Sequence, residues 1–270
     1  MTLGIGILTW KAHQTLRQTI ESHIASGIET FLDERLIFVQ EGDSESVKLA
    51  TSFGYRVEKS SKNLGILGGF EALGTAMHSE YIILNENDFS IVENPEKTRE
   101  ELDIAREIIT SGIAKIVMLR SRKTPGKPFA TPAKFRKYFP GNDASALTKF
   151  QATMMRKLRP ENARLMRART IRLEKNAHLI APEEVKQIMP GWNLTTSRWQ
   201  SWTNNPIMIE RKFFLDVIIA FANRADTRRR TNGFKNLEVE MNCNWWREQE
   251  FPIAQGPGLF THGRIGYRGY

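Results

Sequence analysis

Two carboxylates stand just past a short apolar run. Tyr81-Ile82-Ile83-Leu84 leads through Asn85 to Glu86 and Asp88, spaced i, i+2. A buried strand ending this way can aim two hard oxygen ligands at one divalent cation, the ion that chemistry on a diphosphate calls for. An acidic turn or a helix cap has the same composition, so the pair takes its weight from what precedes it. Upstream lies Asn63-Leu64-Gly65-Ile66-Leu67-Gly68-Gly69-Phe70. Asn63, Gly65, Gly68 and Gly69 make a loop whose backbone can come close to a ligand just before a helix begins.

The elements that must position these groups alternate in type over the first 120 residues. Residues 3–8, 36–39, 81–84 and 116–119 are short apolar runs and read as strands, and 55–58 reads as a further strand between them. Residues 15–26, 45–53, 68–77 and 95–110 read as helices between them. The last of these has Pro95 at its start and Gly112 past its end. Strands alternating with helices imply parallel pairing through right-handed crossovers. Ligands of such sheets bind beyond the carboxyl ends of the strands, where Glu86 and Asp88 stand.

The pattern changes after Arg120. Residues 121–140 read as irregular, 146–159 as a helix with Leu147, Phe150, Met154 and Leu158 on one face, and 160–175 as strongly basic. Residues 210–222 and 237–248 read as helices, 224–230 as a charged loop and 256–270 as a Gly-rich tail. Trp192, Trp199, Trp202, Trp245 and Trp246 fall in this half. Indoles there either fill the core or offer a flat apolar face to a ligand. The expected organisation is an alternating half over 1–120, with 121–270 built onto the same sheet as an extension.

With 270 residues, 40% of them hydrophobic, the chain can bury a full core. Cys243 is the sole cysteine, which excludes an internal disulfide and a cysteine-rich metal site. The longest apolar stretch, 213–222, is interrupted by Asp216 and falls short of the roughly 20 residues of a membrane span. The expected setting is cytoplasmic, with peripheral contact to an acidic membrane face open to the basic stretch. The net charge of +9 favours an anionic partner without choosing among nucleotide, nucleic acid and lipid.

Taken in order, Leu8-Thr9-Trp10, Gln40-Glu41-Gly42-Asp43-Ser44, the Asn63–Phe70 segment, Glu86-Asn87-Asp88 and Phe260-Thr261-His262 resemble the family 2 glycosyltransferases. The resemblance is best over 3–120 and looser over 200–270. It implies the α/β GT-A fold, a Rossmann-like, mostly parallel sheet with helices on both faces, in which 1–120 would be the donor half and 121–270 an acceptor-side, catalytic extension of the same domain. It also implies transfer of a sugar from a nucleoside-diphosphate sugar, UDP-sugar by default, with Mn or Mg and inversion at the anomeric carbon. The acceptor would be a glycan, glycoprotein or glycolipid hydroxyl; no nucleic-acid partner is implied. Carried over residue by residue, Asp88 and His262 become metal ligands and Glu86, replacing the family's first Asp, an outer or weaker one. Thr9, Trp10, Gln40, Glu41, Asn63, Gly65, Gly68, Asn87 and Arg264 would line the donor. The family's base or ribose contact is an Asp that is replaced here by Gln40 or Glu41. The catalytic base is Glu238 or Glu240: spacing to Arg247 favours Glu240, position at the helix start favours Glu238, and the balance leans slightly to Glu238.

Two other classes compete. A sugar-nucleotide pyrophosphorylase would carry a Gly-x-Gly-Thr-Arg loop after the first strand, where this chain has Leu8-Thr9-Trp10-Lys11. A basic nucleic-acid-binding module would use Arg228-Arg229-Arg230 and residues 149–175 to track phosphates.

Overall fold

The computed structural model describes residues 1–123, 132–141, 143–168, 176–225, 227 and 229–263. Among these residues the strands are β1 (Leu3–Thr9), β2 (Glu34–Val39), β3 (Arg56–Lys59), β4 (Tyr81–Glu86), β5 (Phe89–Ile91), β6 (Ile116–Arg120), β7 (Lys186–Met189), β8 (Trp192–Thr196), β9 (Ile207–Glu210) and β10 (Pro252–His262). They join in one sheet of order β3-β2-β1-β4-β9-β6-β10-β8-β7, with β5 paired to the end of β10. β1 to β4 pair in parallel, as do β6 and β10, while β5, β8 and β9 run against their neighbours.

Helices cover both faces. On one side α1 (His13–Ala25), α2 (Ser44–Ser52) and, later in the chain, α4 (Pro95–Thr110) bury Leu16, Ile20, Leu49, Leu102 and Ile108 against Ile5, Ile37, Ile83 and Val117. On the other, α3 (Gly65–Ala76) packs Phe70 and Leu73 against Leu36, Ile82 and Met118. Local chemistry sets the ends. Asn94 caps α4 by accepting from the Lys97 amide at 2.9 Å, and Pro95 occupies the first turn, where no amide is needed.

The second half corrects several expectations. Within 121–140, read as irregular, Pro132–Tyr138 is helical (α5). It packs Phe135 and Phe139 against the next two helices, α6 (Ala146–Leu158) and α7 (Pro160–Ala168), through Ala163 and Met166. Ala177–Ile180 forms a short α8. The helix expected at 210–222 comprises α9 (Arg211–Phe213), a π turn over Phe214–Ile219 and α10 (Ala220–Arg224). The helix expected at 237–248 is broken into α11 (Leu237–Met241) and α12 (Asn244–Glu248).

The largest correction concerns residues 256–262, read as tail. They belong to β10, an 11-residue strand seated between β6 and β8. Its register shifts between Gln255 and Phe260. At this bulge Gly258 has φ +79°, and a Cβ there would overlap the Arg120 carbonyl. Glycine is required for close approach within the strand, which explains why the segment looks loose in sequence. Trp192, Trp202 and Trp246 are buried in the core, and Trp245 stacks on Phe221 at 3.8 Å.

The bulge also holds a titratable group. The Gly258 amide lies 3.3 Å from Oε2 of Glu101, a residue only 1% exposed, and Lys97 Nζ lies 3.8 Å from its other oxygen. Burial pushes the Glu101 carboxyl up to about 7, against the opposing pull of the Gly258 amide and Lys97.

Two outcomes follow from the bulge. Gly258→Ala should lower unfolding free energy by about 3 kcal/mol, from the strained φ and the overlap with Arg120, read by urea denaturation. Between pH 4.5 and about 7 the folded protein keeps a Glu101 proton that the unfolded chain has lost. Stability from this group therefore falls as pH rises through that window and levels off above it. Glu101→Gln should remove that slope from urea midpoints measured between pH 4.5 and 8.

Candidate active site

The strand ends that carry the motifs are tied into one rim by hydrogen bonds. At the end of β1, Thr9 Oγ1 accepts from Asn87 Nδ2 at 3.1 Å, and the Asn87 amide donates to the Leu8 carbonyl at 3.1 Å. Next to Thr9, Trp10 Nε1 donates to Glu41 Oε2 at 2.9 Å, and Lys11 Nζ stands 2.6 Å from the same oxygen. The Lys11 contact, with Trp10 second, holds the Glu41 carboxyl below the usual carboxylate range. Gln40, 4% exposed, accepts the Leu64 amide on Oε1 at 2.7 Å, and Asn63 Oδ1 accepts the Gly65 amide at 2.7 Å. Gln40 and Asn63 thus cap the start of α3. The oxygens expected to read a base are already engaged within the protein. Gly68 sits inside α3, with Leu64 against it.

Asp88 and His262 meet. The side chain of Asp88 is 2% exposed, and its Oδ2 lies 3.2 Å from His262 Nε2. The contact is built by the backbone: β5 pairs antiparallel with β10, His262 opposite Phe89, and the Gly263 amide donates to the Asp88 carbonyl at 2.8 Å. The His262 ring stands edge-on to Phe89 at 5.1 Å. Glu86 is placed differently. It ends β4 two residues after Leu84 and so shares Leu84's side, towards α3. The i, i+2 spacing brings two side chains together only while a strand continues, and here the chain turns at Asn87. Among the described residues no group of three His, Cys, Asp or Glu converges. Arg264 lies outside the described residues.

Gly65 has φ +69°, and a Cβ there would overlap Phe234. Its open space therefore seats an aromatic ring of the same chain. Phe234 ends a tight turn in which Thr231 and Phe234 exchange backbone hydrogen bonds of 2.9 and 3.0 Å around Asn232 and Gly233, both at positive φ.

Beside the rim, on the α3 side, lies a small cleft. Phe70, Leu84, Ile207 and Leu237 line it together with the Trp202–Asn205 loop. Arg120 ends β6 next to it, and its Nη1 donates to Asn205 Oδ1 at 3.3 Å. Its Nε is buried without a hydrogen-bond partner. Burial pushes the guanidinium below its usual value, and no carboxylate among the described residues lies within ion-pair distance. The sequence reading missed Arg120. The available signal was a single cation closing the apolar run Ile116–Leu119.

The two candidate bases part company. Glu238 is exposed at the start of α11, capped by Asn236. Glu240 is fully buried. Its Oε1 accepts from Thr227 Oγ1 at 3.0 Å and lies 3.8 Å from Arg230 Nη1, while Oε2 has no hydrogen-bond partner. Arg247, the spacing marker, points elsewhere, over the rings of Phe135 and Phe139 at 4.9 and 5.1 Å.

No protein-family model and no curated protein matches the chain. Solved structures do. Glucosyl-3-phosphoglycerate synthase from Mycobacterium tuberculosis, crystallised with Mn2+, UDP and phosphoglyceric acid, matches at TM-score 0.50 and 12% identity over 98% of this chain and 72% of that one. That protein is a GT-A glycosyltransferase. The chain has the GT-A fold. Weaker matches are S. aureus TarS 1–349 (TM-score 0.48, 10% identity, 97% of this chain and 60% of that one) and mannosyl-3-phosphoglycerate synthase from Rubrobacter xylanophilus (TM-score 0.40, 10% identity, 79% and 54%).

In this GT-A chain, the carboxylate oxygen and imidazole nitrogen of Asp88 and His262, 3.2 Å apart, are the residues that could hold a divalent ion. An ion shared with a diphosphate needs only one or two protein ligands, the phosphate oxygens completing its shell. One carboxylate oxygen and one imidazole nitrogen suit Mn better than Mg, which prefers oxygen throughout. No helix among the described residues is long and apolar enough to cross a membrane.

Proposed function

We propose that the chain is a metal-dependent glycosyltransferase, moving a sugar from a nucleoside-diphosphate sugar to an acceptor hydroxyl. The observation that carries this reading is the Asp88–His262 contact at the carboxyl-end rim of a GT-A sheet. The donor would lie along the rim between Thr9 and Asn87, beside Gln40 and Asn63, with uracil as the base. The neighbour crystallised with UDP and Mn2+ lends support to that choice.

Asp88 and His262 would hold Mn or Mg, which supplies neutralisation of charge on the diphosphate leaving group. Arg120, set beside the cleft without a carboxylate partner among the described residues, would pair with an anionic group of bound substrate. The acceptor hydroxyl would enter the cleft between Phe70, Trp202 and Leu237. A carboxylate takes its proton as the acceptor oxygen bonds to the anomeric carbon. The bond from that carbon to the β-phosphate oxygen breaks, inverting the configuration. Of the two acids, we assign the base to Glu240. Its buried oxygen without a hydrogen-bond partner can act in a dry site, while Glu238 faces solvent. Glycan, glycoprotein and glycolipid hydroxyls are the acceptor classes proposed.

Two measurements bear on this reading. UDP with Mn should raise the melting temperature of the wild-type protein by several degrees. Asp88→Ala should abolish that rise, and a rise unchanged in Asp88→Ala would remove the metal assignment. In a donor-turnover screen, Glu240→Gln should lose about 100-fold or more in rate with donor binding intact, while Glu238→Gln stays within about threefold. The reverse ranking would move the base to Glu238.

A further inference from the structure

Helix α6 has two sides of opposite fate. One is held by the protein. Ala152 is 2% exposed, Arg156 Nη1 donates to the Tyr138 carbonyl at 2.5 Å, and the Arg156 guanidinium sits over the Phe139 ring at 5.6 Å. The other side carries Leu147, Phe150, Met154 and Leu158, which are 65%, 63%, 39% and 73% exposed. At about 100° per residue these four fall within a stripe roughly 80° wide, turned away from Ala152. A helix face this apolar is ordinarily buried. Here the helix is already anchored through its other side, so the stripe does not wait for a place in this chain's core.

Charge says what covers it. Between Lys149 and Lys175 the sequence has nine Lys and Arg against two Glu, so this stretch holds most of the chain's +9. Lys157 is exposed about 60° round α6 from the centre of the stripe, and Lys149 and Arg159 are exposed further round the helix and just after it. An apolar stripe beside basic side chains suits the boundary of an anionic bilayer, with apolar groups among the acyl chains and cations at the headgroups. A second copy of the chain is a poorer occupant, since a two-fold contact through α6 would set like charges against each other. Nucleic acid would satisfy the cations and leave the apolar stripe in water.

We propose that α6 lies in the plane of an anionic membrane surface and inserts Leu147, Phe150, Met154 and Leu158. The surface is distinct from the rim and the cleft, so the proposal stands independently of the sugar-transfer reading.

The test is co-sedimentation of the full chain with vesicles of phosphatidylcholine alone, or with about one-third phosphatidylserine. Binding should appear on the anionic vesicles and be weak on neutral ones. The double substitution Phe150→Ser with Leu158→Ser should cut the vesicle-bound partition by about tenfold or more. Both positions are exposed, and an unchanged urea midpoint certifies the fold. Phe150→Trp should show blue-shifted emission on anionic vesicles, reporting entry into the apolar zone. No binding to anionic vesicles would overturn the proposal, as would equal binding of the double variant, which would leave charge alone at work. A lipid-free dimer that the double variant dissociates would give the stripe to a second copy and equally overturn it.

Discussion

The arrangement depends on the last residues of β10 pairing with β5. The acidic motif lies near the end of the first third of the chain and His262 near its C-terminus. They meet because Phe260, Thr261 and His262 run antiparallel to Ile91, Ser90 and Phe89. That pairing requires β10 to cross the sheet between β6 and β8 and then to shift register at Gly258, where only glycine fits under the Arg120 carbonyl. The same bulge sets Arg120 beside the cleft and buries Glu101 against the Gly258 amide. One irregularity in one strand therefore supports the candidate metal pair, the Arg120 cation beside the cleft and a buried acid.

The Rossmann-like half was legible because its signals are local. Apolar runs of strand length alternate with amphipathic helices, and Asn94-Pro95 marks a helix start on its own. In the second half α6 was legible and the strands were not, because those strands break the local rules for reasons of packing. Gly256-Pro257-Gly258 reads as a loop, yet Gly256 lies under the Trp192 indole and Gly258 against β6. β9 is four residues long and reaches its place only by pairing with β4 and β6, contacts that no periodicity reports. On α6 the stripe was visible as helical spacing. Periodicity reveals that a stripe exists, but not what lies across it.

The site shows the same division. Which residues stand at strand ends was readable, and the structure does set Thr9, Gln40, Asn63, Asn87, Asp88 and His262 along one rim. Their hydrogen-bond states were not readable. Gln40 caps α3, Glu41 is held by Lys11 and Trp10, and Gly65 gives its space to Phe234. Burial separates Glu238 from Glu240, two residues apart on one helix, and it depends on the Thr227 and Arg230 segment folding over α11.

The claim at the centre is that Asp88 and His262 form one ligand set for an ion shared with a diphosphate. Pulsed electron paramagnetic resonance on Mn2+ bound with UDP addresses it directly, because a coordinated imidazole couples its nitrogen to the metal spin. The account predicts a nitrogen coupling in the wild-type protein that disappears in His262→Ala, with Mn2+ still bound more weakly. A nitrogen-free spectrum from the wild-type complex, or a coupling that survives His262→Ala, would contradict it.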